Sequence, residues 1–293
     1  MQNLKWLIQQ SSVSDTHLQS VVTQMKLSET PYGFFGVIPF CHDITGIEEL
    51  LEKNFHYIFH SSIKILEIFE HCKTLLDLNE NLSPWQKEMA DTLLKRLKMG
   101  IFHNKETFDQ SYYGKLGLPL LNDNSEIYPC RDIIDTSFDE DLFIKPSCDT
   151  KAFNAGVIKK GVTVKDHVES QLHRERYNDE LILLSPLKKI DAEYRFFVVN
   201  KEVVSGSSYR INNELKSDPN VPAHVIAKAS ELAKLYQPHE IFTLDLCQIE
   251  NDVKIVEYNC FNCSGIYGTD YRKVIHKVNH FFKNSILGEY SEH

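Results

Sequence analysis

Residues 241–257 hold two β-rich runs joined by a short polar turn, and this segment restricts the fold of the chain more than any other. The runs read IFTLDLCQI and VKIVEY, and the residues 250–252 between them, Glu-Asn-Asp, suit a hairpin loop. A three-residue loop would set Asp245 directly opposite Glu257 on one face of the hairpin. The sequence therefore predicts an antiparallel sheet in which two carboxylates face each other.

A third polar side chain, Asn259, lies two residues beyond Glu257 and so belongs to the same predicted face. Like charges paired across strands destabilise a sheet unless something neutralises them, and the hairpin places no cation between these acids. A hard divalent cation such as Mg²⁺ accepts carboxylate and amide oxygens and leaves positions for water and phosphate. Asp245, Glu257 and Asn259 therefore predict a magnesium site; the alternative is a solvated sheet face with both acids exposed.

The whole chain is predicted to form three lobes. Strand–helix alternation over residues 1–98, with one strand at residues 37–40, indicates an open α/β lobe. Residues 99–185 and 186–293 indicate α+β structure with antiparallel sheets, and a helix is predicted over residues 163–177. The expected fold class is an α/β N-terminal lobe followed by two antiparallel-sheet lobes.

A second hairpin is predicted around Asn200-Lys201, a two-residue turn between two further β-rich runs. Its register would put four polar side chains on one face of the sheet: Glu193, Arg195, Ser208 and Arg210. The alternative for each side chain alone is an ordinary solvated face.

Several short motifs follow one another along the chain. They are FIKP at residues 143–146, a polar loop at 147–155, SPL at 185–187, EYRFFVV at 193–199 and SYR at 208–210, then Asp245 and Glu257-Tyr258-Asn259 ahead of Gly265. In this order they resemble the motifs of the ATP-grasp superfamily, and residues 100–122 resemble its divergent branch from phages, viruses and bacteria. The resemblance covers roughly residues 100–293, and residues 1–98 resemble the pre-ATP-grasp domain. It implies two antiparallel-sheet lobes that clamp a nucleotide.

The resemblance also implies which residues bind the cofactors ATP and Mg²⁺. Asp245, Glu257 and Asn259 would hold the Mg²⁺ ions of the bound nucleotide. The phosphates would be bound by four residues, of which the last three would take part in catalysis: Lys145, Lys151, Arg195 and Arg210.

Three further residues are assigned to nucleotide binding by the same resemblance. The chain at Ser185 and Leu187 would offer backbone groups to adenine, and Glu193 would supply a polar contact. A first nucleotide-binding lysine is left open between Lys105 and Lys115.

Net charge and cysteine content narrow the class of protein. The 32 basic and 41 acidic residues give a net charge of −9, which disfavours attraction to nucleic acid or to an anionic membrane. Seven cysteines in so long a chain do not indicate a disulfide framework, and the start MQNLKWLIQQ shows no signal peptide. A cytoplasmic protein is expected, and a homodimer is compatible with these features.

The resemblance implies an ADP-forming carboxylate–amine ligase. ATP would phosphorylate a carboxylate, and an amine would attack the acylphosphate to form an amide. The expected substrates are an amino acid, a peptide or a small carboxylate metabolite. The alternatives are an ATP-grasp phosphotransferase and an ATP-binding scaffold without turnover.

Overall fold

The computed structural model describes residues 3–10, 15–38, 44–46, 55–78, 83–147, 153–170 and 180–286. It confirms the predicted fold class, because a sheet with parallel strands is followed by two antiparallel sheets. Within the described residues, no helix is long and apolar enough to cross a membrane. The division at residues 98 and 185 stays a prediction.

The N-terminal lobe is a four-stranded sheet with three helices. Its elements are β1 (Asn3–Gln9), α1 (Asp15–Leu27), β2 (Tyr32–Val37), β3 (Ile44–Thr45), β4 (Phe55–His60), α2 (Lys64–Leu78) and α3 (Pro84–Gly100). The strand order is β3-β2-β1-β4, with β2, β1 and β4 parallel. The strand predicted at residues 37–40 was misplaced, because the pairing of β2 with β1 begins at Tyr32 and β2 ends at Val37. Residues 39 and 40 lie outside the described part of the chain.

The second sheet, called the small sheet below, has its own apolar core. A short helix α4 (Gln110–Tyr113) precedes β5 (Glu126–Pro129), α5 (Cys130–Ile133), β6 (Leu142–Pro146), β7 (Gly156–Ile158), α6 (Val164–Glu169) and β8 (Leu181–Pro186). The order is β5-β8-β6-β7, with every pair antiparallel. The helix predicted over residues 163–177 begins at Val164 and is described to Glu169; residues 171–179 lie outside the described part.

The third sheet, called the large sheet below, has five antiparallel strands. Its elements are β9 (Ala192–Val199), β10 (Glu202–Ile211), β11 (Glu214–Asp218), α7 (Ala223–Leu235), β12 (Ile241–Ile249), β13 (Asp252–Cys260) and α8 (Tyr271–Phe281). The strand order is β11-β10-β9-β12-β13. One face of this sheet packs against α7 through side chains that include Phe196, Leu244 and Leu246.

The other face of the large sheet changes character along its strands. Phe197, Val199 and Ile241 lie in the same apolar cluster as Trp6 of β1 and residues of α8. Two residues before Phe197 on the same face lies Arg195, and the polar residues follow from there. The candidate site therefore begins where the strands emerge from beneath α8.

Asn262, in the 3₁₀ turn that follows β13, fastens the N-terminal lobe to the large sheet. Its side chain is fully buried, and its Nδ2 donates to the carbonyls of Phe59 at 2.6 Å and Gly100 at 2.8 Å. Its Oδ1 accepts from the Phe102 amide at 2.7 Å, and its own carbonyl accepts from the Ser61 amide at 2.8 Å. One side chain thus satisfies backbone groups from three separate segments, which a buried amide must do to be stable.

A buried histidine lies at the same junction between the N-terminal lobe and α8. His60 is 2% exposed, its Nε2 lies 3.2 Å from Nε2 of His17, and its Nδ1 lies 3.3 Å from the Tyr271 hydroxyl. Burial, with a smaller contribution from His17, lowers the pKa of His60 to about 3. The imidazole is therefore neutral in the folded protein at every pH near neutrality.

This histidine predicts a loss of stability in mild acid. The unfolded chain protonates His60 near the ordinary pKa of 6.5, whereas the folded protein does so only near 3. Its contribution is complete above pH 6.5 and is lost progressively as the pH falls toward 3. Between pH 6 and 5 the free energy of unfolding of wild type should fall by about 1 kcal/mol more than that of His60→Gln. Urea denaturation at both pH values measures this, and parallel pH dependence would contradict it.

Candidate active site

The β12–β13 hairpin pairs Asp245 with Glu257, as predicted, but by a different route. The turn has two residues instead of three, because Ile249 pairs with Asp252. A β-bulge at Val256 then shifts the register by one residue and restores the expected pairing. Without that bulge Asp245 would face Val256, and Glu257 would point to the opposite face of the sheet.

Each of the two carboxylates is held by a cation from another strand. Asp245 accepts two hydrogen bonds from Arg195, at 2.8 Å from Nε to Oδ1 and at 2.6 Å from Nη2 to Oδ2. Glu257 accepts one from Lys145, at 2.8 Å from Nζ to Oε2. The absence of a cation within the hairpin was therefore misleading, because Arg195 comes from the neighbouring β9 and Lys145 from the small sheet.

Asn259 completes the cluster by bridging the two acids. Its Nδ2 donates to Asp245 Oδ2 and to Glu257 Oε1, at 3.1 Å in each case. An oxygen of each carboxylate therefore lies around one point. Two carboxylates and an amide fit the oxygen-ligand chemistry of Mg²⁺.

The metal-binding side chains at this point are few. Among the described residues, no three or more His, Cys, Asp or Glu side chains could together hold a metal ion. Mg²⁺ commonly binds through one or two carboxylates and takes its remaining ligands from water and from the phosphates of a substrate. The donor set here is of that kind.

The ionisation of the two acids reflects their partners. Burial alone would raise the pKa of Glu257, but the Lys145 ammonium and the Asn259 amide outweigh it and lower that pKa to about 2. Burial raises the pKa of Asp245, and Arg195 opposes the rise. In turn, Asp245 outweighs the effect of burial on Arg195 and raises the pKa of the guanidinium. The cluster thus combines two acidic and two basic groups.

The β9–β10 hairpin has the predicted turn but not the predicted register throughout. Val199 pairs with Glu202 around the two-residue turn. Two bulges in β10 then shift the pairing, so that Ser208 faces Tyr194. The expectation that Ser208 shares the face of the site was therefore wrong; its hydroxyl donates to the carbonyl of Lys216 at 3.0 Å.

The same bulges keep the other three predicted residues together. Arg210 pairs with Glu193, two residues from Arg195 on β9, and its Nη1 lies 3.4 Å from Glu193 Oε1. The other oxygen of Glu193 accepts from the Tyr209 hydroxyl at 2.7 Å. Glu193 is therefore held from two sides at the edge of the cluster.

Two tyrosines that the sequence reasoning missed cover Arg195. The guanidinium carbon lies 5.2 Å from the ring centroid of Tyr267 and 5.8 Å from that of Tyr209, and the two rings stack at 5.1 Å. Such contacts hold a guanidinium in place by cation–π attraction. Tyr267 also has a φ of +44°, which is unusual for a residue other than glycine. Its place between Gly265 and Gly268 is a signal that could have pointed to this loop.

Lys145 and Ser185 share one face of the small sheet, the face that reaches Glu257. Lys145 pairs with Leu183 and Ser185 pairs with Phe143, and alternation places these four on the same side. Ile144 and Leu184 point the other way, into the core of the small sheet. The cluster is thus built where the small and large sheets face each other.

Comparison with protein families agrees with this geometry. A family described as an ATP-grasp domain, the second family of its clade, matches residues 127–276, just over half of the chain, and this span contains the whole cluster. The chain belongs to this ATP-grasp family.

Solved structures with the same fold extend over almost the whole chain. D-alanine–D-alanine ligase from Bacillus anthracis matches with a TM-score of 0.52 and 10% identity, over 97% of this chain and 99% of that one. Its complex with ATP matches with a TM-score of 0.53 and 12% identity over the same shares. The ATP-grasp ligase PsnB complexed with a minimal precursor gives 0.46 and 12%, over 90% and 92%. The search of curated proteins gave no match.

The remaining residues predicted from the ATP-grasp motifs lie farther from the cluster. Ser185 is buried and donates to Asn122 Oδ1 at 3.1 Å, and Leu187 is exposed just beyond the end of β8. Lys105 and Lys115 are both exposed on the segment between α3 and β5. Lys151 lies outside the described residues.

Proposed function

We propose that this ATP-grasp protein is an ADP-forming carboxylate–amine ligase that works through an acylphosphate. The observation that carries the proposal is the convergence of Asp245, Glu257 and Asn259 with Lys145 and Arg195 between two antiparallel sheets. This arrangement offers oxygen ligands for a cation beside two basic side chains for phosphate. The family assignment supports ATP-dependent ligation in general.

In this proposal the residues divide the work by charge. Asp245, Glu257 and Asn259 would hold Mg²⁺, which neutralises charge on the transferring phosphoryl group. Lys145, Arg195 and Arg210 would bind phosphate oxygens. The predicted roles of Lys151 over the phosphates, of Ser185 and Leu187 at adenine, and of Glu193 complete the proposed nucleotide site.

The proposed chemistry proceeds in two balanced steps. A carboxylate oxygen of the substrate attacks the γ-phosphorus, the bond to the β–γ bridging oxygen breaks, and ADP leaves. An amine nitrogen then attacks the acyl carbon, the carbon–oxygen bond to phosphate breaks, and the amine loses a proton. Both steps depend on positioning and electrostatics, and neither requires a nucleophilic side chain. An amino acid, a peptide or a small carboxylate metabolite is the proposed substrate class.

The experiment is a screen of carboxylate and amine pairs with ATP and Mg²⁺. We expect ADP and phosphate to appear only with a competent pair, and mass spectrometry to find a product lighter by one water than the sum of the two substrates. Chromatography of the nucleotides distinguishes ADP from AMP. Release of AMP and pyrophosphate would contradict the proposed reaction.

A further inference from the structure

The two ion pairs of the cluster differ in strength. Arg195 and Asp245 share two short hydrogen bonds, their side chains are 11% and 2% exposed, and tyrosine rings cover the guanidinium. Lys145 and Glu257 share one hydrogen bond, and the Glu257 side chain is 33% exposed. A planar guanidinium in a bidentate pair is fixed, whereas an ammonium on a four-carbon stem can change partner. The Lys145–Glu257 pair is therefore the one that can open.

Both oxygens of Glu257 are already engaged. Oε2 accepts from Lys145 and Oε1 accepts from Asn259. A divalent cation that approaches Glu257 has to displace the Lys145 ammonium, because both cannot occupy the same oxygen. A bare metal ion therefore competes with a cation that the protein itself supplies.

The charges of the cluster lead to the same conclusion. Asp245 and Glu257 carry two negative charges, and Arg195 and Lys145 carry two positive charges, so the four groups are neutral together. Such a cluster attracts neither a lone cation nor a lone polyanion strongly. A metal and a triphosphate that arrive together can exchange partners with it, the metal taking the carboxylate and the phosphate taking the ammonium.

The backbone around Lys145 is fixed, so that only its side chain need move. Ser147, two residues beyond Lys145, accepts from the Gln110 amide at 3.1 Å through its carbonyl, and its hydroxyl donates to Asp109 Oδ1 at 3.0 Å. Its own amide donates to the Leu181 carbonyl at 2.8 Å. These three bonds hold the end of β6 against its neighbours.

We propose that Lys145 is an exchangeable counter-ion that keeps Glu257 closed to metal until a triphosphate draws the ammonium away. The site then takes the divalent cation and the nucleotide as one ligand and discriminates against either alone. Arg195 stays on Asp245 and serves as the fixed part of the cluster. This inference rests on the proposed function, because it assumes that the same residues bind metal and phosphate.

The test is the affinity for Mn²⁺ without nucleotide, measured by the spin resonance of free Mn²⁺. Lys145→Gln removes the competing ammonium and should bind Mn²⁺ about tenfold more tightly than wild type, the low end expected for a lost charge-assisted contact. Lys159→Gln is the matched control, since Lys159 lies just after β7 of the same sheet and pairs with Asp141 at 2.8 Å. It removes the same charge and should leave Mn²⁺ affinity at the wild-type value.

Two further variants secure the result. Lys145→Met should show the same gain, which covers the case in which Lys145→Gln folds poorly. Adding Glu257→Gln to either variant should abolish the gain, because the freed carboxylate is then gone. Equal, weaker or undetectable Mn²⁺ binding by both Lys145 variants, relative to wild type, overturns the inference.

A parallel titration separates this inference from the proposed function. Wild type should bind a non-hydrolysable ATP analogue with Mg²⁺, and Lys145→Gln should bind it roughly ten- to hundredfold more weakly. The two affinities of this variant thus change in opposite directions. If wild type binds the analogue but the Lys145 variants gain no Mn²⁺ affinity, only the counter-ion role falls. If wild type does not bind the analogue with Mg²⁺, the proposed function falls as well.

Discussion

Glu257→Gln is expected to abolish ADP release and to remove most of the stabilisation that Mg²⁺ and ATP give the wild type. The substitution keeps the shape of the side chain and removes the charge that would hold the metal. Loss of one electrostatic contact in a transition state costs about a hundred- to thousandfold in rate. A ligand at a hundred times its Kd stabilises a protein by about 2.7 kcal/mol, and that shift in Tm should largely vanish.

The ligand-free variant provides a second readout. From the sequence alone, relief of repulsion between two acids would make Glu257→Gln slightly more stable than wild type. The structure reverses this expectation, because Lys145, with a side chain only 9% exposed, loses its partner. We expect the ligand-free variant to be less stable by about 1 kcal/mol or less, since Glu257 is partly solvated. Glu202→Gln, which breaks an exposed contact with Lys277, is the control that should keep both activity and the thermal shift.

Arg195→Gln is expected to lower the free energy of unfolding by roughly 3–5 kcal/mol, the cost of leaving a buried charge without its partner. Asp245 would retain the Asn259 amide but lose both hydrogen bonds to the guanidinium. Urea denaturation measures the loss. A change below about 1 kcal/mol would contradict the account of this pair as the fixed part of the cluster.

Arg210→Gln is the matched control for that measurement. It makes the same substitution one strand away, where Arg210 is 41% exposed and lies 3.4 Å from Glu193. An ion pair of this kind contributes about 1 kcal/mol or less. The contrast between the two variants therefore separates burial from charge.

The sequence predicted the facing carboxylates for a reason that was partly accidental. The predicted turn is one residue too long, and the bulge at Val256 compensates for the difference. Bulges depend on how a strand packs against its neighbours and leave no reliable trace in residue order. The same cause placed Ser208 on the wrong face, because the prediction contained no bulge in β10.

The cations could not be predicted as partners of the acids from spacing. Arg195 meets Asp245 across the β9–β12 pairing, 50 residues away, and Lys145 reaches Glu257 from another sheet, 112 residues away. Resemblance to a family placed both near ATP but did not reveal that they occupy the carboxylates. Likewise Tyr209 and Tyr267 meet over Arg195 only because β10 and the loop before α8 fold together. The three sheets themselves followed from local patterns, which is why the fold class was confirmed.

The hold of Asn262 on three segments has a mechanical consequence for the cleft. The N-terminal lobe and the large sheet share one apolar core, and parting them would expose Trp6 and Phe197 to water. The small sheet has a separate core and meets the large sheet at the bridge between Leu120 and Ile255 and at the ion pairs beside it. One wall of the cleft is therefore rigid and the other can swing. Nucleotide entry and product escape become motions of the small sheet, while the wall that holds Asp245 keeps a constant shape and can select its substrate by fit.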